Sequence, residues 1–86
     1  MKKLLYVTYD SKAEIYTTPF YMLNEGSAVR SFIDIANDKS HPIGQHPEDY
    51  TLFCIGEYDE IEGVVTMYEA KKSHGLAIDY IKPQGE

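Results

Sequence analysis

One segment of the chain spaces its apolar residues as an amphipathic helix does, and this separates it from the alternating pattern found elsewhere. It follows Ser27, a residue type that often caps a helix N-terminus. The spacing predicts a helix over residues 28–37 that stops in the Asn-Asp-Lys-Ser cluster. The apolar positions that define this helix are Ala28, Val29, Phe32, Ile33 and Ala36.

Strands are predicted on both sides of this helix. Residues 3–9 alternate between two faces, with Leu5, Val7 and Tyr9 on one and Leu4, Tyr6 and Thr8 on the other. Residues 14–22 are rich in β-branched and aromatic side chains. Pro19 cannot donate to a ladder, so this second strand is expected at an edge of the sheet or to end nearby.

The second half of the chain reads as a loop followed by a hairpin. Residues 38–49 are expected to form the loop, and residues 50–58 carry the strongest strand pattern. Asp59 to Gly63 predicts a five-residue turn, after which residues 64–70 return antiparallel. Residues 76–81 are expected to add a short edge strand.

These elements predict an α+β domain, in which an antiparallel sheet of four to five strands in β-β-α-β-β order packs one face against the helix. Residues 1–86 are expected to form a single domain, in which 71–86 could be a partly flexible tail. The expected core residues are Leu5, Val7, Val29, Phe32, Ile33, Leu52 and Cys54.

Composition points to an ordinary cytoplasmic protein. The single cysteine excludes an internal disulfide and fits a reducing compartment. The opening MKKLLYVTYD resembles the start of a signal peptide, but Thr8 and Asp10 break its apolar run too early. No segment approaches the roughly 20 apolar residues that a membrane span needs. We therefore expect a soluble protein that does not bind membranes.

Metal-binding and catalytic motifs are absent from the sequence. The three histidines and the cysteine lack the paired spacing of zinc sites, and the acidic residues after 56 do not follow a calcium-binding loop. There is no GxSxG elbow and no P-loop. We predict no enzymatic activity, no cofactor and no bound metal.

Charge is unevenly distributed within a chain of net charge −6. Residues 40–70 hold seven carboxylates and no Lys or Arg. An acidic chain repels phosphates, so nucleic-acid binding would need a local basic patch. If strand 64–70 lies antiparallel beside the first strand, one such patch forms away from the acidic hairpin, from Lys2, Lys3, Lys71 and Lys72.

Tyrosine is abundant, with eight in 86 residues, and most of these fall on predicted strands. Aromatic rings on a sheet face can stack unpaired bases, each contributing about 1–3 kcal/mol. Tyrosine also suits half-buried strand positions for structural reasons alone, so the pattern leaves both interpretations open. The strand tyrosines are Tyr6, Tyr9, Tyr16, Tyr21, Tyr58 and Tyr68.

Three pieces of the sequence carry a family resemblance over roughly residues 4–70: YDSKA at 9–13, AVRSF at 28–32, and PEDYTLF at 47–53 leading into IGE. The chain resembles the small non-structural protein of gokushovirus-type microviruses, which are single-stranded-DNA phages. The resemblance implies a role in phage genome replication, or in the switch to single-strand synthesis and packaging, within the host cell cytoplasm. It implies no catalytic residue.

Two functions remain open at this point. In the first, the protein binds single-stranded DNA as a homodimer, through Lys2, Lys3, Lys71, Lys72, Tyr6 and Tyr68. In the second, it is an acidic interaction module that contacts the phage replication initiator or a host factor, with DNA mimicry through its negative charge as one way to do so. The residues for this alternative are Glu48, Asp49, Glu57, Asp59, Glu60 and Glu62. Acidic residues at solvated strand ends are also common without any such role.

Overall fold

A computed structural model describes residues 2–83 and shows a five-stranded antiparallel sheet with one long helix on one face. The α+β prediction is confirmed, although three strands rather than two precede the helix. In chain order the elements are β1 (Lys2–Asp10), β2 (Ile15–Tyr16), β3 (Phe20–Met22), α1 (Glu25–Ala36), α2 (Pro42–Gln45), β4 (Tyr50–Asp59), β5 (Val64–Leu76) and a 3-10 turn (Ala77–Tyr80).

The sheet is ordered β2-β1-β4-β5, and β3 pairs with β1 alongside β2. The predicted strand 14–22 is therefore two short strands on one edge of β1. Between them, the Thr17 N–H donates to the Thr8 carbonyl, and the Thr17 hydroxyl accepts from the Thr8 N–H at 3.0 Å. The ladder is interrupted after this contact because Pro19 has no N–H to offer.

Helix α1 begins three residues earlier than the sequence pattern indicates. Asn24, not Ser27, is the N-cap, and its Oδ1 accepts from the Ser27 N–H at 2.8 Å. Glu25 then lies in the first turn, where a carboxylate interacts favourably with the helix dipole. The apolar spacing could not reveal this start because the first turn of the helix carries no apolar residue before Ala28.

Two apolar clusters lie on opposite faces of the sheet. The larger one packs α1 against the sheet through Tyr6, Phe32 and Leu52. The smaller one, on the other face, comprises Leu5, Val7 and Ile55 with Phe53 against them. Five of the seven predicted core residues are buried, whereas Val29 and Ile33 are only half-buried because they flank the buried stripe of α1.

Residues 71–80, predicted as part of a flexible tail, belong to regular secondary structure. Residues 71–76 complete β5, and 77–80 form a 3-10 turn in place of the predicted edge strand. The turn is held by the Tyr80 hydroxyl, which donates to the His74 carbonyl at 2.6 Å, and by Asn37, whose side chain donates to the Tyr80 carbonyl at 3.1 Å. Of the tail predicted at 71–86, residues 84–86 lie outside the described residues.

The loop predicted at 38–49 contains α2, and this turn depends on a glycine. The His41 side chain accepts from the Ile43 N–H at 3.1 Å and caps the turn. Gly44 is buried, and a Cβ there would collide with the Asp38 carbonyl. The backbone of α2 can therefore approach the end of α1 only without a side chain at this position.

Replacing Gly44 with alanine is expected to destabilise the protein by about 1–3 kcal/mol, because the backbone must move to relieve the collision. Gly26→Ala is the matched control, since a Cβ there meets nothing closer than Asn24 Oδ1 at 3.5 Å. In that helical position alanine should be neutral or stabilising. Urea unfolding of both variants measures the difference, and equal free energies of unfolding would contradict the prediction.

Among the described residues, no helix has the length and apolar character needed to cross a membrane.

Candidate nucleic-acid interface

The face of the sheet opposite α1, called the open face below, is covered by no helix among the described residues. Strand alternation and the register of the ladders decide which side chains it carries. On this face Val7 lies opposite Phe53, and Leu5 lies opposite both Tyr21 and Gly56. The larger side chains that share it are Lys3, Leu5, Val7, Tyr9, Tyr16, Tyr21, Phe53, Ile55, Tyr58, Val65, Met67 and Lys71.

Five aromatic rings on the open face form two groups. Tyr16 lies between Tyr9 and Phe53, with ring centroids 4.6 and 6.2 Å away. Tyr21 and Tyr58 form the second group at 5.5 Å. Tyr16 and Tyr21 are 43% and 47% exposed, so both groups present aromatic surface to solvent. Such an arrangement offers stacking positions for flat, unpaired rings.

A hollow of about 280 Å³ lies beside the first group. Val7 and Ile55 contribute buried apolar surface to it, and Tyr16 and Lys71 line its side. Lys71 Nζ is 5.3 Å from the centroid of the Tyr16 ring, which is within the range of a cation–π contact. The hollow thus combines an apolar wall, an aromatic ring and a cation, and Glu69 is the one carboxylate among its described lining residues.

Gly56 allows β5 to cross closely over β4 at this point. A Cβ on Gly56 would come within 2.5 Å of the Thr66 carbonyl oxygen. Beyond it the register shifts, so that four residues of β5, 68–71, span the single β4 residue Ile55. This bulge brings Lys71 to the open face, next to Tyr16.

The four lysines predicted to form one patch do not come together. The predicted patch required β5 to lie antiparallel beside β1, and this prediction is wrong. β4 lies between the two strands, so β1 and β5 run parallel to each other. Lys2 is opposite Asp59 on β4, whereas Lys72 is opposite Cys54. Five residue steps of β4 separate these positions, about 16 Å at roughly 3.3 Å per residue.

Three of these lysines also have carboxylate partners. Lys2 and Lys3 contact Glu57 at 3.1 Å and Glu60 at 3.8 Å, so they lie at the acidic hairpin rather than away from it. Lys72 lies on the side of the sheet that α1 covers, and its Nζ donates to Glu25 Oε1 at 2.6 Å. This hydrogen bond raises the pKa of Lys72 and lowers that of Glu25. Lys71 has no carboxylate within 4 Å among the residues that the structure describes.

Tyr6 is fully buried beneath α1, so the expectation that its ring is displayed for base stacking is wrong. Burial, followed by the neighbouring Cys54 thiol, raises the pKa of Tyr6 well above its usual range. Tyr68 remains 37% exposed, and its hydroxyl donates to Glu57 at 3.3 Å. Of the two tyrosines predicted to bind DNA, only Tyr68 therefore has surface to offer a ligand.

The six acidic residues proposed for partner binding fall into two groups at opposite ends of β4. Glu48 and Asp49 precede Tyr50 at one end, and the other four lie at or near the hairpin turn. The ends are about 30 Å apart at roughly 3.3 Å per residue. Asp59 accepts from the Ile61 and Glu62 N–H groups, and these bonds lower its pKa. Its carboxylate thus has a structural role in the turn.

His46, Glu48 and Asp49 bring one potential ligand atom each within 4.8 Å of one another. Sequence spacing did not reveal this group, because the turn after α2 folds His46 back towards the two carboxylates; the Asp49 N–H donates to the His46 carbonyl at 3.0 Å. Glu48 and His46 are exposed. Exposed acidic groups commonly lie this close without a metal, and no further feature of the described chain assigns one here.

A larger concavity, about 600 Å³, lies on the other side of the sheet, between α1 and β1. Phe32, Leu52 and Ile43 contribute apolar surface, and Thr8 and Ser31 contribute hydroxyls. No Lys, Arg, Asp or Glu is among its described lining residues. These described lining residues therefore supply hydroxyls and His41 but no lysine or arginine to neutralise a phosphate, which leaves the open face as the better surface for a nucleic acid.

The fold and the site define a class: a small α+β sheet protein with one covered face and one aromatic open face. A family model described as Phage ORF5 protein matches residues 3–79, and the chain belongs to that family. The comparisons yielded no matching curated protein and no matching solved structure. The family match identifies a phage protein, as the resemblance in the sequence implied.

Proposed function

We propose that this protein is a non-structural protein of a small single-stranded-DNA phage, and that it binds single-stranded DNA on the open face. The observation that carries the proposal is the pair of aromatic groups, Tyr9–Tyr16–Phe53 and Tyr21–Tyr58, on the sheet face that no helix within residues 2–83 covers. The resemblance to gokushovirus-type proteins supports the same function. The protein acts in the host cell, during genome replication or the switch to packaging.

Unpaired bases stack on the rings, and a cation next to them holds the backbone. One base occupies the hollow against Val7 and Ile55 with Tyr16 at its side, and a second stacks on the Tyr21–Tyr58 group. Lys71 and Lys3 contact phosphates. A duplex has its bases stacked internally and cannot use these rings, so single strands are preferred.

The negative net charge of the protein limits its affinity for DNA. The chain carries a net charge of −6, and Lys3 is already within 3.8 Å of Glu60. Only a few phosphates can be neutralised, so we expect dissociation constants on the order of 10⁻⁶–10⁻⁴ M, in the range of non-specific binding. Stacking supplies the larger part of the binding free energy, and it does not depend on salt.

Lys71→Glu is expected to weaken single-strand binding. It should also make the negative slope of log K against log salt shallower by about 0.7 or more, because one phosphate contact is lost. Lys39→Glu is the matched control. It makes the same change in charge, at an exposed position after α1 and away from the open face. Fluorescence anisotropy with a labelled oligonucleotide over a salt series measures both.

Equal effects of the two variants would show that only net charge matters and would reject the open face as the binding surface. Duplex binding as strong as single-strand binding would reject the stacking mechanism. If wild-type protein binds neither form, the alternative of an acidic partner-binding module gains support. Glu60→Lys together with Glu62→Lys would then test the hairpin end of that module.

A further inference from the structure

The outer edge of β5 is an unprotected sheet edge. β5 ends the sheet, and no described residue pairs with its far side. Its first five residues, Val-Val-Thr-Met-Tyr at 64–68, contain no charge, proline or glycine. Val64, Val65 and Met67 are 51%, 44% and 57% exposed. Natural proteins usually block such an edge with a charge, a proline or a bulge, because it can pair with another chain.

The opposite edge of the sheet has that protection. It consists of β2 and β3, of two and three residues, with Pro19 between them. Short strands and a proline both oppose edge-to-edge pairing. In β5 the bulge at 68–71 begins at Tyr68, the last residue of this uncharged stretch, so residues 64–67 remain regular. The two edges therefore differ, and β5 is the one suited to pairing.

We propose that two copies of this chain pair antiparallel through their β5 edges, with Thr66 on the two-fold axis. An antiparallel pair related by such an axis sets residues of equal parity opposite each other. With Thr66 facing itself, Val65 lies opposite the partner's Met67, and Val64 lies opposite the partner's Tyr68. A shift of two residues either way would set Val65 against Glu69, or Met67 against Gly63. The Thr66 register matches apolar side chains on both faces.

The distribution of charge along the chain also favours a second copy as the partner of the β5 edge. The two-fold axis brings the start of each β5 beside the end of the other. Asp59 ends β4 and the turn before β5 carries Glu60 and Glu62, whereas the second half of β5 carries Lys71 and Lys72. The acidic turn of each copy therefore lies beside this lysine-bearing half of its partner's β5, on both sides of the axis. An unrelated partner strand would need to supply this complementary pattern, whereas a second copy has it.

The resulting continuous sheet contains ten strands, five from each copy, and the two open faces lie side by side. Val65 and Met67 of both copies line the seam. The pairing does not depend on DNA, so it stands or falls separately from the proposed function. It would nevertheless double the surface available to a single strand.

Sedimentation equilibrium tests the interface with two variants. Wild type is expected to be dimeric at roughly 50 µM. Met67→Lys should weaken dimerisation by at least about tenfold, because it places a charge in the apolar seam. Ile15→Lys, an exposed apolar residue on the opposite edge, makes the same chemical change and should leave the dimer intact. A monomeric wild type, or a dimer that Ile15→Lys breaks and Met67→Lys does not, would overturn the proposal.

A cross-link tests the register. Opposite residues of an antiparallel pair have Cα atoms about 4.5–5.5 Å apart, within the range of a disulfide. Thr66→Cys should therefore form a covalent dimer on oxidation, while the buried Cys54 stays reduced. Ile15→Cys is the control and should give little cross-linked product. Efficient cross-linking of Ile15→Cys with none for Thr66→Cys would reject the β5 edge as the interface.

Discussion

Replacing Tyr6 with alanine is expected to lower the free energy of unfolding by about 3–5 kcal/mol, as for other buried aromatic residues. Tyr6 is completely buried, and it packs in the cluster between α1 and the sheet with Phe32 and Leu52. An 86-residue domain has a total stability of roughly 4–13 kcal/mol, so this one change removes a large share. Urea unfolding followed by circular dichroism measures the loss.

Tyr6→Phe separates packing from the hydroxyl. The Tyr6 hydroxyl is buried, and the polar group beside it is the Cys54 thiol, which is a weak hydrogen-bond partner. Removing the hydroxyl relieves the cost of burying a poorly satisfied polar group, so this variant should match wild type or exceed it by about 1 kcal/mol. It should also bind DNA like wild type. A loss of 2 kcal/mol or more in Tyr6→Phe would show that the hydroxyl is satisfied after all.

The second large effect is expected on DNA binding. Tyr16→Ala should weaken single-strand binding by about 5- to 150-fold, the equivalent of the 1–3 kcal/mol that stacking of one base contributes. Its effect on the salt slope should be small, because stacking releases no counterions. Ile78→Ala removes a comparably exposed apolar side chain on the helix side of the sheet and should leave binding unchanged.

Double variants test whether the open face has two separate stacking positions. Phe53→Leu keeps apolar volume against Val7 while removing the ring. Because Phe53 and Tyr16 are in contact at 6.2 Å, their combined effect should be less than additive. Tyr58 belongs to the other group, so Tyr16→Ala and Tyr58→Ala should add within about 0.5 kcal/mol. Unchanged affinity in all of these variants, with folding intact, would exclude the open face.

The sequence predicted the alternation of β1 correctly, since Leu5 and Val7 do share one face and Tyr6 and Thr8 the other. It could not predict which face the helix covers. Both faces of this strand are apolar in the middle, so the local pattern is the same for either choice. The candidate site was therefore assigned to Tyr6, which is buried, when Tyr9 on the same strand lies on the open face.

Phe53 was missed for a related reason. In a run such as Leu-Phe-Cys-Ile every residue suits a core, and a strand buried on both sides gives no polar alternation. Only the ladder between β1 and β4 shows that Phe53 lies opposite Val7 while Leu52 lies opposite Thr8.

Local residue chemistry determined the elements: a helix at one amphipathic stretch, strands at the alternating ones, and a turn at Asp59–Gly63. These depend on neighbours within a few positions, which the chain order itself supplies. The strand order and the covered face were decided by tertiary structure alone. Placing β4 between β1 and β5 separated Lys2 from Lys72 and left Lys71 beside Tyr16, because pairing between distant segments depends on the packing of the whole sheet against α1.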